Sequence, residues 1–457
     1  MCIRDSVRIV RDLITKGNLV FIGPMTSIGN MYLGPLYYYL VAPALFLSNL
    51  NPVGPAIMVA LLGVLTVWLT WFVGRTWFGK VSGLIAALLF AISPIAIIYS
   101  RSSWNPNPMP LFSLLCIWGI YQVWQNHKYF WLPLVGIFFA FALQMHYLGL
   151  LLLPVLGLFW LISLQKINKD KIQKPKFIKK TCIAILLFLF LMSPLVLFDL
   201  KHAGLNYHAF KTFFTDRQTT VNLNPTKSDR FLPVISTAIT DLVLARQSVA
   251  VPLVSITVFL LSLLVFIKSK WRKSLKLLFI WLGFALLGLG VYKQHVYVHY
   301  LGFVYPAIYL LLGAVLGYLA AKKELILKIL SVLIIVSLVY LNIKHSPVFG
   351  SPNRQLQRTE AATDLIIQES KGEPFNFGLI AKQNYDESYR YFLENKHSSL
   401  EADQNKITDQ LFVVCEDGDS CQPEGNSQYQ IAVFGIARVE NQWQIDYLKI
   451  YRLRHPK

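Results

Sequence analysis

A polar loop with one arginine separates two apolar segments in the first quarter of the chain. It reads Ser100-Arg101-Ser102-Ser103-Trp104-Asn105-Pro106-Asn107-Pro108. A guanidinium offers planar, bidentate donors to phosphate oxygens, so Arg101 at a membrane edge suits the phosphate or pyrophosphate of a lipid carrier. Asn105 adds an amide that can hydrogen bond to a phosphate or a sugar. The alternative is a rigid, proline-stiffened loop whose arginine only reaches toward lipid headgroups.

Tyrosine and histidine side chains mark two further segments. Tyr37 lies in Gly34-Pro35-Leu36-Tyr37-Tyr38-Tyr39, and His299 begins a later apolar run. Both are candidates for hydrogen bonds to a sugar or a phosphate. Anchoring at the membrane interface, where aromatic rings are enriched, is the alternative explanation for each. An interfacial helix accounts for the tyrosines, but it does not account for the two Gly-Pro steps that frame Thr26-Ser27.

These side chains must be positioned by membrane-spanning helices. Hydrophobic residues make up 55% of the 457 residues and charged residues only 15%, against about 25% charged in a typical soluble domain. Apolar runs long enough to cross a ~30 Å hydrocarbon core give the candidate spans 53–73, 81–99, 109–124, 130–144, 147–164, 181–199, 249–267, 275–291, 299–320 and 325–342. The sequence therefore predicts an α-helical polytopic membrane protein with about ten transmembrane helices.

Basic tethers between the spans predict the orientation. Lys and Arg cluster after alternate spans, in the tethers that follow 53–73, 147–164, 249–267 and 299–320. Cytoplasmic loops carry an excess of positive charge, so we expect the Arg101 loop, the entry at His299 and the C-terminal residues to face outward. The formal net charge of +19 belongs to these tethers and does not indicate nucleic-acid binding. The predicted location is the plasma (inner) membrane.

The first 52 residues are predicted to lie outside the membrane, as part of an outer loop. The segment 31–50 is apolar, but its Gly, Pro and Tyr content suits a helix lying in the membrane interface. The sequence shows no signal peptide or earlier span that could carry this loop outward. We therefore expect that a first transmembrane helix is missing and that the sequence is truncated at its N-terminus.

Residues 343–457 are predicted to form a small α/β domain outside the cytoplasm, after a linker at 345–354. Residue patterns predict strands at 375–381, 410–415 and 430–438, a helix at 385–394, and a hairpin that turns at 440–442 and continues over 443–453. Cys415 and Cys421 flank an acidic, turn-forming run. Outside the cytoplasm, a disulfide between them is favoured over two free thiols. The predicted domains are 1–52, a partial outer loop; 53–342, the transmembrane domain; and 343–457.

The order of these motifs resembles the membrane-embedded GT-C glycosyltransferases, in the branch of the protein O-mannosyltransferases and aminoarabinose transferase (glycosyltransferase family 39 type). The likeness rests on Gly34-Pro35-Leu36-Tyr37-Tyr38, the turn at 74–80, Ser93-Pro94, the Arg101…Asn105-Pro106 loop and His299-Tyr300…Pro306. At the first of these, relatives often have His-Pro-Pro-Leu-Tyr. The resemblance implies transfer of a sugar from a polyprenyl-phosphate donor to a lipid, glycan or protein acceptor at the outer membrane face.

The resemblance also implies roles for particular residues. The family uses an Asp near the start of the first outer loop as general base, and its position here falls upstream of the visible start. Asp5 and Asp12 are the fallback candidates. Arg101 would hold the donor phosphate, and Asn105, Tyr37 and His299 would hydrogen bond to sugar or phosphate. We assign no cofactor and no metal ligand, although a divalent metal is compatible with this chemistry.

A transporter or flippase of lipid-linked saccharides is the main alternative function. Such proteins place polar groups or broken helices near the bilayer midplane. In this sequence no Asp, Glu, Lys or Arg falls in the middle of a predicted span, and the polar motifs gather at one surface. That distribution favours an interfacial enzyme. The expected partners are a polyprenyl-phosphate-linked sugar and membrane lipids, while the sequence identifies neither the sugar nor the acceptor.

Overall fold

The computed structural model of the protein describes residues 5–26, 31–215, 231–247, 251–292, 295–382, 385–403, 405–416 and 421–456. The chain divides into two compact units. One, here called the membrane unit, is Gly17–Gly350. The other, here called the α/β unit, combines the segment up to Lys16 with Ser351–Lys457.

The membrane unit is built from helices. Its α-helices are α2 Leu36–Leu47, α3 Val53–Phe78, α4 Lys80–Ile92, α5 Pro94–Ser100, α6 Met109–Asn126, α7 Trp131–Met145, α8 Leu152–Ile167, α9 Gln173–Lys201, α10 Leu205–Thr215, α11 Phe231–Thr237, α12 Val251–Lys268, α13 Arg272–Gly290, α14 Tyr305–Ala320 and α15 Leu325–Lys344. Short 3₁₀ helices cover Tyr147–Leu151 and Val298–Phe303, and a π-helix covers Ala238–Val243.

Several of these helices are long and apolar enough to cross a membrane. Six meet that condition in the described part of the chain: Val53–Phe78, Tyr147–Ile167, Gln173–Lys201, Val251–Lys268, Arg272–Gly290 and Leu325–Lys344. The bent pair α4 and α5 meets it jointly, and α2, α7, α14 and Phe231–Val243 are shorter apolar helices. Each of the ten segments predicted as spans coincides with a helix or a helix pair. Two of them, α7 and α14, have 15 and 16 residues, fewer than the ~20 that usually cross a bilayer.

Glycine allows two helices of the membrane unit to approach closely. Gly313 and Gly317 lie one turn apart on α14 and face Ser82 and Ala86 of α4, so a side chain at either glycine would collide with α4. Small residues at this spacing let helix backbones pack where lipid offers no hydrophobic drive for association. The contact holds α4 against α14.

The chain bends by 63° between α4 and α5. Pro94 is the first residue of α5, and the preceding Ser93 has the extended backbone that a following proline favours (φ −61°, ψ 122°). Proline also lacks the N–H that would continue the helical hydrogen bonds. The dipeptide Ser93-Pro94 therefore encodes the bend, and the redirected α5 ends at Ser100, directly ahead of Arg101.

The α/β unit has a mixed four-stranded sheet. Its helices are α1 Asp5–Lys16, α16 Gln355–Ser370, α17 Glu387–Asn395 and α18 Tyr429–Phe434, and its strands are β1 Asn376–Ile380, β2 Gln410–Cys415, β3 Arg438–Ile445 and β4 Leu448–Arg454. The sheet order is β1-β2-β4-β3. The β1–β2 pair is parallel, and the β2–β4 and β4–β3 pairs are antiparallel.

Apolar side chains cover both faces of this sheet. Along β2, Phe412 and Val414 join the core beneath α16 and α17, whereas Leu411 and Val413 join the core beneath α18. Successive strand residues point to opposite faces, so the apolar run 411–415 of β2 is explained by helices on both sides. All residues of β2 are buried.

Two predictions in this unit were wrong. Residues 430–438 were predicted as a strand, but α18 occupies Tyr429–Phe434, because Ile431 and Phe434 are buried at a helical spacing and Gly435 (φ 89°) ends the helix. The hairpin was predicted to turn at 440–442, but these residues lie within β3 and the strands meet at Asp446 and Tyr447. Asp446 has the left-handed backbone (φ 54°) that tight hairpin turns need.

A disulfide joins the end of β2 to the segment before α18. It links Cys415 and Cys421, with 6.1 Å between their Cα atoms. Residues 417–420 of the intervening acidic run lie outside the described part of the chain. The bond ties the segment before α18 to a fully buried strand.

Candidate functional site

The Arg101 loop follows the bend between α4 and α5. Arg101 is the C-cap residue directly after α5, and its side chain is exposed. It makes no hydrogen bond or ion pair with any described residue. A guanidinium that has no protein partner at the end of an apolar helix is available to an external anion. This arrangement is compatible with the predicted phosphate contact.

Hydrogen bonds stiffen the rest of this loop. The Asn105 side chain is buried, and its Nδ2 donates to the Met145 carbonyl at 2.8 Å. Asn107 Nδ2 donates to the Ser102 carbonyl at 2.7 Å. Asn105 therefore attaches the loop to the end of α7. Its direct contact with substrate stays a prediction.

Tyr37 lies in the interior of the membrane unit. Its side chain is fully buried, and its hydroxyl is 2.7 Å from the Ser103 hydroxyl. Tyr37 thus joins α2 to the Arg101 loop. The structure shows it as a support for the loop, while its direct contact with substrate stays a prediction.

Aromatic rings surround His299 beside the same loop. The ring centroids of His299 and Trp104 are 4.5 Å apart, and those of His299 and Tyr99 are 6.2 Å apart. His146 lies 6.1 Å from His299 and 4.9 Å from Tyr300. We call Tyr99, Trp104, His146, His299 and Tyr300 the His299 cluster. It brings together three separate parts of the sequence: the loop after α5, the end of α7 and the entry to α14.

The imidazole of His146 is uncharged near pH 7. Burial, together with the neighbouring His299 ring, lowers the pKa of His146 to about 3. Its Nδ1 accepts a hydrogen bond from the Leu148 N–H at 3.2 Å. An imidazole that stays neutral near pH 7 can donate one hydrogen bond and accept another, but it adds no positive charge to the site.

Sequence reasoning missed two charged residues near this cluster. Neither Asp241 nor Arg246 was among the predicted site residues, and the structure places Asp241 in the π-helix Ala238–Val243. Arg246 lies within electrostatic reach of both Tyr99 and Asp241. Two opposite charges five residues apart in an otherwise apolar stretch were the signal that could have identified them.

The backbone that presents Arg246 is unusual. Ala245 and Arg246 both have left-handed backbones, with φ of 50° and 71°. Each such residue other than glycine costs roughly 1–3 kcal/mol, and π turns and strained residues concentrate at functional sites. The Arg246 side chain is exposed. Two consecutive strained residues therefore support a functional role for this arginine.

Two opposing effects act on the pKa of Asp241. Burial raises the pKa of Asp241, and the nearby Arg246 acts against that rise. The carboxyl group also lies within electrostatic reach of Tyr99 and Tyr305. The surroundings of Arg246 can therefore hold an anion and, beside it, a carboxyl group with a raised proton affinity.

The fallback catalytic carboxylates lie in the α/β unit. Asp12 Oδ1 accepts hydrogen bonds from Arg11, and its Oδ2 accepts one from Lys16 at 3.2 Å. Burial by itself would raise the pKa of Asp12, but the hydrogen bonds from Arg11 and Lys16 lower it. A carboxylate with both oxygens engaged and a lowered pKa is a weak base. Only the backbone of Asp5 is described.

The described residues contain no group of three or more His, Cys, Asp or Glu side chains that could hold a metal ion. A cavity of ≈ 570 Å³ lies at the end of α9 and is lined by Tyr147, Asp199, Asn206 and apolar side chains. Both Asp199 oxygens accept backbone N–H bonds, from Asn206 and Tyr207 at the start of α10. Asp199 therefore serves as a helix cap.

The family model of dolichyl-phosphate-mannose-protein mannosyltransferases matches residues 33–198. This stretch begins before α2, contains the Arg101 loop and His146, and ends within α9. The fold is similar to that of ArnT from Cupriavidus metallidurans bound to undecaprenyl phosphate, with a TM-score of 0.62 and 12% identity over 98% of this chain and 92% of that one. The chain has the GT-C fold. The predicted fold class and family resemblance are confirmed at this level.

A second solved structure extends the comparison. The fold of this chain is also similar to that of the oligosaccharyltransferase of Archaeoglobus fulgidus, whose crystal structure is a complex with Zn and sulfate. That match has a TM-score of 0.50 and 15% identity, and it covers 85% of this chain and 57% of the other. No curated protein sequence is significantly similar to this chain. The family model and both folds are those of glycosyltransferases, and the protein is an integral membrane protein.

Proposed function

We propose that this protein is a glycosyltransferase that moves a sugar from a polyprenyl-phosphate donor to an acceptor at the outer membrane face. The observation that carries the proposal is the pair of exposed arginines that flank Tyr99. Arg101 follows it by two residues, and Arg246 lies within its electrostatic reach. Two guanidinium groups at the end of apolar helices suit a phosphate whose tail lies in the bilayer.

The comparisons support the same donor class. The family model is that of dolichyl-phosphate-mannose-protein mannosyltransferases, and the ArnT structure was determined with undecaprenyl phosphate. In both cases the phosphate is attached to a long polyprenyl chain. We therefore assign the donor of this protein to the polyprenyl-phosphate sugars.

In the proposed reaction, the anomeric carbon of the sugar moves from a phosphate oxygen of the donor to a hydroxyl oxygen of the acceptor. The bond from this carbon to the phosphate oxygen breaks, the acceptor hydroxyl oxygen forms the new bond, and its proton passes to a carboxylate base. Arg101 and Arg246 would stabilise the charge that develops on the leaving phosphate. The His299 cluster would pack against the sugar, since aromatic rings offer apolar faces and hydrogen-bonding edges.

The proposed arrangement in the membrane follows from the basic tethers. Three cation–π pairs lie at or beside tethers predicted to be cytoplasmic: Arg75 over Trp71, Lys166 over Trp124 and Lys322 over Tyr318. Aromatic and basic residues of this kind are typical of the membrane boundary. We propose a plasma (inner) membrane location, with the domain at 343–457 and the Arg101 loop both outside the cytoplasm.

A transfer assay tests the function. Membranes that contain the protein are supplied with radiolabelled polyprenyl-phosphate sugars, and label is followed into lipid, glycan and protein fractions. We expect transfer by the wild type and weaker transfer at low donor concentration by Arg246→Ala, with Arg272→Ala at a basic tether as the matched control. Absence of transfer from every sugar tried would overturn the proposal.

A labelling experiment tests the orientation. Single cysteines replace Ser102 and Tyr385 in a chain from which the other free thiols have been removed, and Lys169→Cys marks the opposite side. We expect a membrane-impermeant maleimide to label Ser102→Cys and Tyr385→Cys in intact cells and to spare Lys169→Cys. Labelling of the first two positions from opposite sides would contradict the arrangement.

A further inference from the structure

The turn that presents Arg246 is held by side chains from two neighbouring helices. The Tyr309 hydroxyl on α14 donates to the Leu242 carbonyl at 2.8 Å, and Asn342 Nδ2 on α15 donates to the Val243 carbonyl at 3.1 Å. These two acceptors are consecutive residues at the end of the π-helix. Both donors are buried, with exposed fractions of 1% for Tyr309 and 2% for Asn342.

The backbone of this turn explains why it needs outside donors. The Leu244 N–H bonds to the Ile239 carbonyl at 2.9 Å, and the Arg246 N–H bonds to the Thr240 carbonyl at 2.7 Å. The last carbonyls of a helix have no following N–H within the helix, and a buried carbonyl without a donor is unfavourable. The two side chains therefore satisfy Leu242 and Val243 and stabilise a turn with two consecutive left-handed residues.

Tyr309 and Asn342 bring polar groups into apolar helices, and Asn342 Nδ2 also donates to the Leu338 carbonyl of its own helix at 2.8 Å. α14 and α15 are apolar helices, and a polar side chain inside such helices is unfavourable unless it is hydrogen bonded. Gln247 continues the same attachment, because its Nε2 lies 3.1 Å from His345 Nε2 just after α15. Three side-chain contacts within six residues of chain thus converge on the segment that ends at Arg246.

We propose that Tyr309 and Asn342 are positioning residues for the donor phosphate, which they serve by fixing the turn that carries Arg246. This inference rests on the proposed function and adds residues to it. Neither side chain contacts the phosphate. Each acts through the backbone at 242–243, so its contribution to donor binding disappears when the Arg246 guanidinium is absent.

The test compares Tyr309→Phe and Asn342→Leu with the wild type, in the full-length protein reconstituted in nanodiscs. For each we expect KM for the polyprenyl-phosphate sugar to rise about tenfold, as for loss of one hydrogen bond, with kcat changed less than twofold. Binding of undecaprenyl phosphate alone should weaken by the same factor. Tyr340→Phe on α15, whose side chain is 61% exposed, is the matched control and should bind like the wild type.

A double-variant cycle tests the route of the effect. In an Arg246→Ala background, adding Tyr309→Phe should change binding less than twofold, because the group being positioned is gone. Full additivity of the two losses would overturn the inference. Unchanged binding in both single variants would overturn it as well. If the wild type neither transfers sugar nor binds undecaprenyl phosphate, it is the proposed function that fails.

A second measurement does not depend on activity. Ala245 is 1% exposed, so Ala245→Cys, in a chain in which Cys2, Cys116 and Cys182 have been replaced, should react slowly with a soluble maleimide. Adding Tyr309→Phe or Asn342→Leu should raise that rate at least tenfold if these residues fix the turn. An equal rate in all three proteins would contradict a positioning role.

Discussion

The Tyr37 hydroxyl lies 2.7 Å from the Ser103 hydroxyl, in the buried interior of the membrane unit. This hydrogen bond joins α2, near the start of the chain, to the loop two residues after Arg101. Ser103 and Tyr37 come from segments 66 residues apart. The position of the Arg101 loop therefore depends on α2 as well as on the bend at Ser93-Pro94.

Removing one partner of this bond should destabilise the protein. Tyr37→Phe leaves the buried Ser103 hydroxyl unpaired, and we expect a loss of about 1–3 kcal/mol in the free energy of unfolding, measured by thermal unfolding in detergent. The double variant Tyr37→Phe/Ser103→Ala should recover most of that loss, because neither polar group remains. A double variant less stable than both single variants would contradict this reading.

Replacing Arg101 or Arg246 should raise the donor KM more than replacing another exposed cation. We expect Arg101→Ala and Arg246→Ala each to raise KM for a polyprenyl-phosphate sugar about tenfold or more, since a charge-assisted hydrogen bond contributes ~1.5–3 kcal/mol. Arg246→Lys should recover only part of the loss, because an ammonium lacks the bidentate geometry. Steady-state kinetics in nanodiscs checks this, and a donor KM equal to that of Arg272→Ala would contradict it.

Helix positions were predictable from the sequence because apolar runs dominate it. The ten predicted spans each coincide with a helix or a helix pair, whereas the bend inside the span expected over 81–99 was not predicted. The lengths of the individual helices were less predictable. The span expected over 299–320 begins with a 3₁₀ helix at Val298–Phe303 and continues as α14, because Pro306 favours the first turn of a new helix.

The candidate site was only partly predictable. Arg101 and His299 were identified from polar residues at the ends of apolar runs, and the structure brings the His299 ring within 4.5 Å of Trp104 in the Arg101 loop. Arg246 was missed because a π turn has no simple sequence period and its strain is relieved by distant donors. Tyr309 and Asn342 looked like ordinary members of apolar helices. Contacts between segments, rather than local patterns, define their roles.

Acid should destabilise the membrane unit through His146. Burial and the neighbouring His299 lower its folded pKa to about 3, from an ordinary value of 6.5. Above about pH 6.5 the group is neutral in both states and contributes no pH dependence. As the pH falls below that, the unfolded state takes up a proton that the folded state does not, so stability falls by up to ~1.4 kcal/mol per pH unit. Melting temperatures at pH 7.5 and 5.5 measure this, and His146→Gln should reduce the difference.

Of the two arginines on α1, Arg11 should contribute more than Arg8 to the free energy of unfolding. Its Nη2 lies 2.7 Å from Glu394 on α17, and its side chain is 10% exposed, against 39% for Arg8, which lies 2.8 Å from the same residue. Partly buried pairs lose more on truncation than exposed ones. We expect Arg11→Ala to lower the free energy of unfolding by about 2 kcal/mol and Arg8→Ala by less than about 1 kcal/mol, from the protease resistance of the α/β unit in increasing denaturant. Equal losses would contradict this ranking.

The disulfide between Cys415 and Cys421 should stabilise the α/β unit. Its partners are six residues apart, and closing so short a loop in the unfolded chain corresponds to about 2 kcal/mol. Cys415 also lies on the fully buried β2, so a free thiol there would keep its packing and lose only the cross-link. We expect Cys421→Ser to lower the melting temperature of the α/β unit in the full chain, measured by protease resistance on heating. Cys182→Ser, at an exposed free cysteine, is the matched control, and an equal effect of both would show that the cross-link adds no stability. Dithiothreitol should lower the melting temperature of the wild type by the same amount and leave Cys421→Ser unchanged.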